Sequence, residues 1–233
     1  MKRAMSNPSV TAIVPTYNEA PRIARVLDVL TTYPGFAEVI VVDDGSMDDT
    51  ERVARRYPIR FLRNRTNQGK GFAMNRGVAI SKTPLLFFAD ADVRGLTHAM
   101  IDTLLVPVIN QEVDMCIAMR GRSIYKIPGV LKLIPHLGGE RVVTKALWNV
   151  VPDYYKQRFR IELGLNYFAN HMGKGFRTVV FHQLTQVIKE KKYGFLQGFW
   201  LRMQMNGYVF SAAFRLALSR AFGKEKDDFF VKR

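Results

Sequence analysis

The feature that most constrains this chain is a rhythm in its first 120 residues. Short apolar runs alternate with segments whose apolar residues recur at helical spacing. Val10-Thr11-Ala12-Ile13-Val14 is a strand run closed by Pro15, and Ile23, Val26, Leu27 and Leu30 then fall at i, i+3, i+4 and i+7 on one helix face. Val39–Val42, Ile59–Leu62 and Leu85–Phe88 repeat the strand pattern, while Gly69–Ser81 reads as a helix entered through a Gly-rich turn. Strands separated by helices of about 10–15 residues predict βαβ units and a mostly parallel sheet, an α/β fold. Such sheets bind ligands outside the carboxyl ends of their strands. Three polar clusters fall there: Thr16–Glu19 after the first run, Asp43–Ser46 after the second, Asp90–Asp92 after the fourth. Ser46 is expected to cap the next helix, with Asp48, Asp49 and Glu51 in its first turn.

Beyond residue 113, Met115–Ala118 and Thr178–Phe181 read as strands, and Arg141–Val150 and Arg158–Met172 as helices. Ile124–Leu137 is broken by Pro and Gly and reads as a loop or surface-lying element. The expected organisation is one domain over 1–190, split into halves at 1–112 and 113–190, with a basic helical tail over 191–233. Lys and Arg number 35 against 20 Asp and Glu, a formal charge of +15. Residues 1–112 hold 14 basic and 12 acidic side chains, residues 113–233 hold 21 and 8. The second half is therefore the electropositive part, and it calls for an anionic partner. At 48% hydrophobic and 24% charged, the composition excludes a disordered chain and a multi-span membrane protein. Cys116 is the only cysteine, which excludes a disulfide framework and any Cys-based zinc site and suits a reducing compartment. The charged start, Met1 to Pro8, is followed by no long apolar stretch, so no signal peptide is expected.

Three constellations carry chemistry. Asp90-Ala91-Asp92 places two carboxylates where they can converge on a hard divalent cation that also binds phosphate oxygens. Asp43 and Asp44 can accept hydrogen bonds from a nucleobase or a ribose, although capping alone would also account for acids in this loop. Asn67-Gln68-Gly69-Lys70-Gly71 sets a lysine and turn amides before a helix, an arrangement suited to a diphosphate. It is no P-loop, because the Gly-x-x-x-x-Gly-Lys-Ser/Thr spacing is absent.

Taken in order with Pro15-Thr16-Tyr17-Asn18-Glu19, these motifs resemble the family 2 glycosyltransferases of the GT-A fold, in particular the dolichyl- and polyprenyl-phosphate sugar transferases. The resemblance is strong over residues 10–95. It continues weakly through Gly138-Gly139-Glu140-Arg141, similar to a Ser-Gly-x-Arg acceptor motif, and Ile161–Leu165. It implies a Rossmann-like, mostly parallel sheet flanked by helices, binding a nucleotide diphosphate sugar through Pro15, Thr16, Tyr17, Glu19, Asp43, Asp44, Lys70 and Asp90. Asp92, Asp90 and a late histidine, His182, would hold Mg²⁺ or Mn²⁺. Glu162 matches the acidic position that serves as base, and it could equally be a structural acid on a helix face. Arg122, Gly139, Arg141 and Lys145 would hold the acceptor. A phosphate acceptor is already anionic and needs cations more than a base, whereas a sugar hydroxyl needs a base. One departure stands out: Arg94 occupies the place where the polyprenyl branch often has Gln.

Residues 195–222 are strongly apolar and 195–218 would be long enough to span a bilayer, yet Arg202 and Arg215 interrupt them. Positions 211, 215 and 219 mark a polar stripe, so a helix lying in a membrane interface fits better than a span. A helix packed on the sheet, or on a second copy in a homodimer, is the alternative. The expected protein is thus an inverting glycosyltransferase, cytoplasmic and peripheral on the inner membrane face, acting on a lipid phosphate. A soluble sugar or phosphorylated metabolite is the second acceptor class. A nucleotidyltransferase would use a similar metal-bound nucleotide. A basic nucleic-acid-binding module would need more than scattered pairs such as Tyr154-Tyr155-Lys156, so nucleic acid is not expected as a partner.

Overall fold

The computed structural model describes residues 9–121, 138–158 and 160–186, together with Gly207, Ser211 and Arg215. Ile124–Leu137, Arg122 and nearly all of 195–222 lie outside the described residues. The strands are β1 (Val10–Thr16), β2 (Phe36–Asp43), β3 (Arg60–Arg63), β4 (Leu85–Phe88), β5 (Val93–Arg94), β6 (Met115–Arg120), β7 (Arg141–Thr144), β8 (Phe176–Phe181) and β9 (Thr185–Gln186). The helices are α1 (Ile23–Thr32), α2 (Thr50–Ala54), α3 (Lys70–Ile80), α4 (His98–Ile109), α5 (Lys145–Val150) and α6 (Arg160–Met172).

Seven strands form one sheet in the order β3-β2-β1-β4-β7-β6-β8, and β5 pairs with β9 apart from it. Pairing is parallel except that β7 runs against both β4 and β6. Alternate residues of each central strand enter opposite cores, which is why these strands read as continuous apolar runs. Val10, Ala12, Val14, Leu85 and Phe87 join Leu27 and Leu104 on one face. Ile13, Ile40, Val42, Leu86 and Phe88 join Met74, Trp148 and Leu165 on the other. Full burial of one Leu or Phe stabilises the fold by roughly 1.5–3 kcal/mol, so the two layers carry most of its stability.

The helical periodicity of the first helix is met in full: Ile23, Val26, Leu27 and Leu30 are the buried residues of α1. Pro15 does not end β1, which runs to Thr16. Beyond Ile13 that strand pairs with β2 alone, so a residue lacking an N–H is tolerated there as on an edge. The expected helix over Arg141–Val150 is half wrong. Arg141–Thr144 is β7, wedged between β4 and β6, where β-branched Val142 and Val143 are wholly buried. Thr144 then caps α5 by accepting from the Leu147 amide at 3.1 Å. The helix expected from Arg158 starts at Arg160 because Arg158 has a left-handed φ of 52°. Ser46 does not cap α2; its hydroxyl donates to the Asp43 carboxylate. Asp48 takes up the start of that helix, accepting from the Thr50 amide at 3.0 Å. α4 is absent from the expected helices, although its buried Met100, Ile101, Leu104, Leu105 and Val108 recur at helical spacing behind the Thr97 cap, with Pro107 near its end.

Candidate active site

The strand order reverses between β1 and β4, and the crevice at their carboxyl ends is where the motifs meet. Thr16 of β1 pairs in register with Asp43 of β2. The loops beyond are locked together: the Asn18 amide donates to Ser46 Oγ at 2.8 Å, and Asn18 Oδ1 accepts from the Met47 amide at 2.8 Å. Thr16 Oγ1 and Asp43 Oδ2 are buried, and neither has a hydrogen-bond partner among the described residues. The nearest cation to Asp43 Oδ2 is the Arg63 guanidinium, at 3.6 Å. Buried polar atoms are rarely left unpaired, so these two are open to a partner such as a water or a polar ligand.

Asp44 does different work. Its carboxylate accepts from the Gly69 amide at 2.6 Å, the Gln68 amide at 3.0 Å and Asn64 Nδ2 at 2.6 Å. It therefore builds the Gly-rich turn, in which Gly69 has φ 96°, a conformation open to glycine at little cost. Glu19 is held by Arg22 at 2.5 Å, and Tyr17 is half-buried at the rim.

The centre of the site is a charge cluster. Lys70 Nζ lies 2.8 Å from Asp90 Oδ1 and 2.7 Å from Glu162 Oε1. Arg120, at the end of β6, donates to both oxygens of Glu140 at 3.0 and 2.9 Å and stands 3.7 Å from Asp90 Oδ2. Burial works against the charge on Lys70, but Asp90 and Glu162 outweigh it and hold the ammonium above the usual lysine range. Burial also opposes ionisation of Asp90, yet Lys70, Arg120 and Arg141 hold its carboxyl below the usual value. Glu140 is the exception: burial pushes it up to about 7 despite Arg120. Gly139 is required by packing, since a Cβ there would fall inside the Asp90 carboxylate.

Of the cations expected at the acceptor side, Arg141 is wholly buried. Its Nε donates to the Gly138 carbonyl at 3.0 Å, its second amino group donates to the same oxygen, and burial lowers its pKa. Lys145 lies at the opposite end of the sheet, donating to the Ser81 carbonyl before β4 begins. The structure therefore does not bring Lys145 to the site. Arg122 lies outside the described residues. Arg120 is the cation that sequence reading missed; only its place at a strand's carboxyl end could have flagged it.

Asp92 is 7% exposed, and the next two residues form β5, which pairs with β9. That pairing ties the Asp92 loop to the turn carrying exposed His182, which packs beside Gly121. Even so, among the described residues no three His, Cys, Asp or Glu side chains form a group ready to hold a metal ion. Asp90, Asp92 and His182 are thus not a preassembled trio. The donor chemistry nevertheless suits a hard cation. Asp90, Asp92, Glu140 and Glu162 gather their oxygens around Arg120, with Lys70 and Arg141 beside them.

A mostly parallel sheet with its switch point between β1 and β4 and acids at the tip of β4 defines a doubly wound α/β class, whose ligands bind at that point. The sequence model described as "Glycosyl transferase family 2" matches residues 11–185, and the chain belongs to that family. Among its relatives, the glycosyltransferase YaiP of Escherichia coli is 41% identical over 88 residues, 36% of this chain and 22% of that protein. Human dolichyl-phosphate beta-glucosyltransferase is 36% identical over 99 residues, 36% of this chain and 31% of that one. The aligned part is less than a third of either relative. The crystal structure of glucosyl-3-phosphoglycerate synthase from Mycobacterium tuberculosis, in complex with Mn²⁺, UDP and glucosyl-3-phosphoglycerate, superposes with a TM-score of 0.70. It is 20% identical, covering 88% of this chain and 80% of that one, and so bears on the fold alone.

Proposed function

We propose that this chain moves a sugar, with inversion, from a nucleotide diphosphate sugar to a phosphate-bearing acceptor, a polyprenyl phosphate at the cytoplasmic membrane face being favoured. The observation that carries this reading is the pair of buried, unsatisfied atoms on Thr16 and Asp43 beside the acidic tip of β4. A nucleoside would complete those hydrogen bonds, with Tyr17 at the rim. The relatives named for dolichyl-phosphate glucosylation support the choice of acceptor.

Asp92, with Asp90 and His182, would hold Mg²⁺ or Mn²⁺, a Lewis acid for the charge leaving with the nucleoside diphosphate. Lys70, whose ammonium lies between Asp90 and Glu162, would turn to face the diphosphate. The acceptor oxygen attacks the anomeric carbon, and the bond to the diphosphate breaks with its electron pair on the leaving group. A phosphate oxygen needs no base. A hydroxyl acceptor would have to give its proton to a carboxylate, and Glu162 could take it only after parting from Lys70. Arg120 is the cation best placed to orient an anionic acceptor, with its Nε unpartnered among the described residues.

A soluble phosphorylated acceptor is the second reading, in keeping with the fold neighbour crystallised with glucosyl-3-phosphoglycerate. A single assay separates the readings. Nucleotide sugars are incubated with Mn²⁺ and dolichyl phosphate in detergent, 3-phosphoglycerate, or free sugars, and the products are identified. Nucleoside diphosphate release stimulated by dolichyl phosphate is expected. Stimulation by soluble acceptors alone would transfer the proposal to that class, and pyrophosphate release would replace glycosyl transfer with nucleotidyl transfer.

A further inference from the structure

Lys70 holds an unusual place for a residue expected to meet phosphates. Its ammonium bridges carboxylates from two separate elements, Asp90 at the tip of β4 and Glu162 in the first turn of α6. All three side chains are only 14–16% exposed. The turn beneath Lys70 is fixed, by Asp44 on the Gln68 and Gly69 amides and by the Gly71 amide donating to the Arg158 carbonyl at 3.0 Å. The backbone is therefore anchored, while the ammonium sits on a flexible four-carbon stem. It occupies Asp90, one of the acids that would hold the metal with Asp92 and His182, and among the described residues no metal-ready group is assembled.

We propose that Lys70 is a tethered stand-in cation, holding Asp90 and Glu162 in the ligand-free protein and crossing to the diphosphate when nucleotide and divalent ion arrive together. The inference rests on the glycosyltransferase reading above. A divalent ion arriving alone would evict a buried ammonium with no anion to receive it, which is costly. With a diphosphate present the displaced ammonium gains an anionic partner, so metal and nucleotide each tighten the other's binding. The same movement uncovers Glu162 only when a donor is bound.

Manganese titration of the full chain, followed by electron paramagnetic resonance of the free ion with and without UDP, tests this. Without nucleotide, Lys70→Gln is expected to bind Mn²⁺ about tenfold tighter than the wild-type chain, with the mutual tightening by UDP reduced to match. Arg76→Gln removes a charge from the same helix without touching either acid, and is expected to stay within about twofold of wild type. Lys70→Met repeats the test with a different neutral side chain. If either Lys70 variant is destabilised, its melting is recorded with Mn²⁺ alone, and recovery greater than in the wild-type chain supports the stand-in. Variants that bind Mn²⁺ no tighter than wild type, or melt unchanged by it, overturn the proposal. A wild-type chain that turns over no nucleotide sugar would overturn the activity reading instead, leaving the titration as it stands.

Discussion

Gly139 shows how little freedom single positions have in this site. Its backbone lies against Asp90, so Gly139→Ala must displace either the loop or the carboxylate. Overpacking of this kind costs about 1–3 kcal/mol, and the variant is expected to lose both unfolding free energy and turnover. Asp92→Ala should behave differently. Its proposed role is metal binding, so transfer is expected to fall about a hundredfold or more while the protein stays folded. A folded Asp92→Ala protein with near-normal, Mn²⁺-dependent turnover would remove that assignment. The sequence made the acids legible because they follow apolar runs. It could not show that Asp90 faces Lys70 and Arg120, since those partners lie 20 and 30 residues away and meet it only through the sheet.

At the level of elements, β7 is the instructive case. Arg141-Val142-Val143-Thr144 has no periodicity of its own that fixes it as a strand; the gap between β4 and β6 does so. The consequence for Arg141 is testable. Wholly buried, with its Nε on the Gly138 carbonyl, it is placed to secure the loop that carries Gly139 and Glu140. Arg141→Ala is expected to lose more than about 2 kcal/mol in denaturant unfolding, from a lost charged hydrogen bond and a cavity. An unchanged midpoint with a raised acceptor KM would return it to the acceptor side. Thr144→Ala should cost about 1 kcal/mol as a lost helix cap, measured in the same way.

The molecule as a whole carries a pH signature in its buried acids. Burial pushes the Cys116 thiol from 9.0 up to about 11 and the Tyr155 phenol from 10.0 up to about 12. Both groups hold their protons more tightly when folded. Their contribution to stability is therefore complete below pH 9 and is lost as the pH climbs through their folded values. Unfolding free energy is expected to fall between about pH 9 and 12, by up to about 1.4 kcal/mol per pH unit for each group titrating. Cys116→Ala should flatten the first part of that decline in urea titrations, and an unchanged slope would show that the thiol is not responsible.

The sequence by itself determined the α/β class, the buried faces of β1, β2, β4 and α1, and which loops lie at the strand tips. Those are local properties, set by periodicity and by the rule that a parallel sheet opens at its carboxyl ends. Only the tertiary structure decided that Arg141–Thr144 is a strand, that Lys145 points to the far end of the sheet, and that Arg120 joins the site. Each of these depends on which distant backbone a segment lies beside, and buried charges take their partners across that distance.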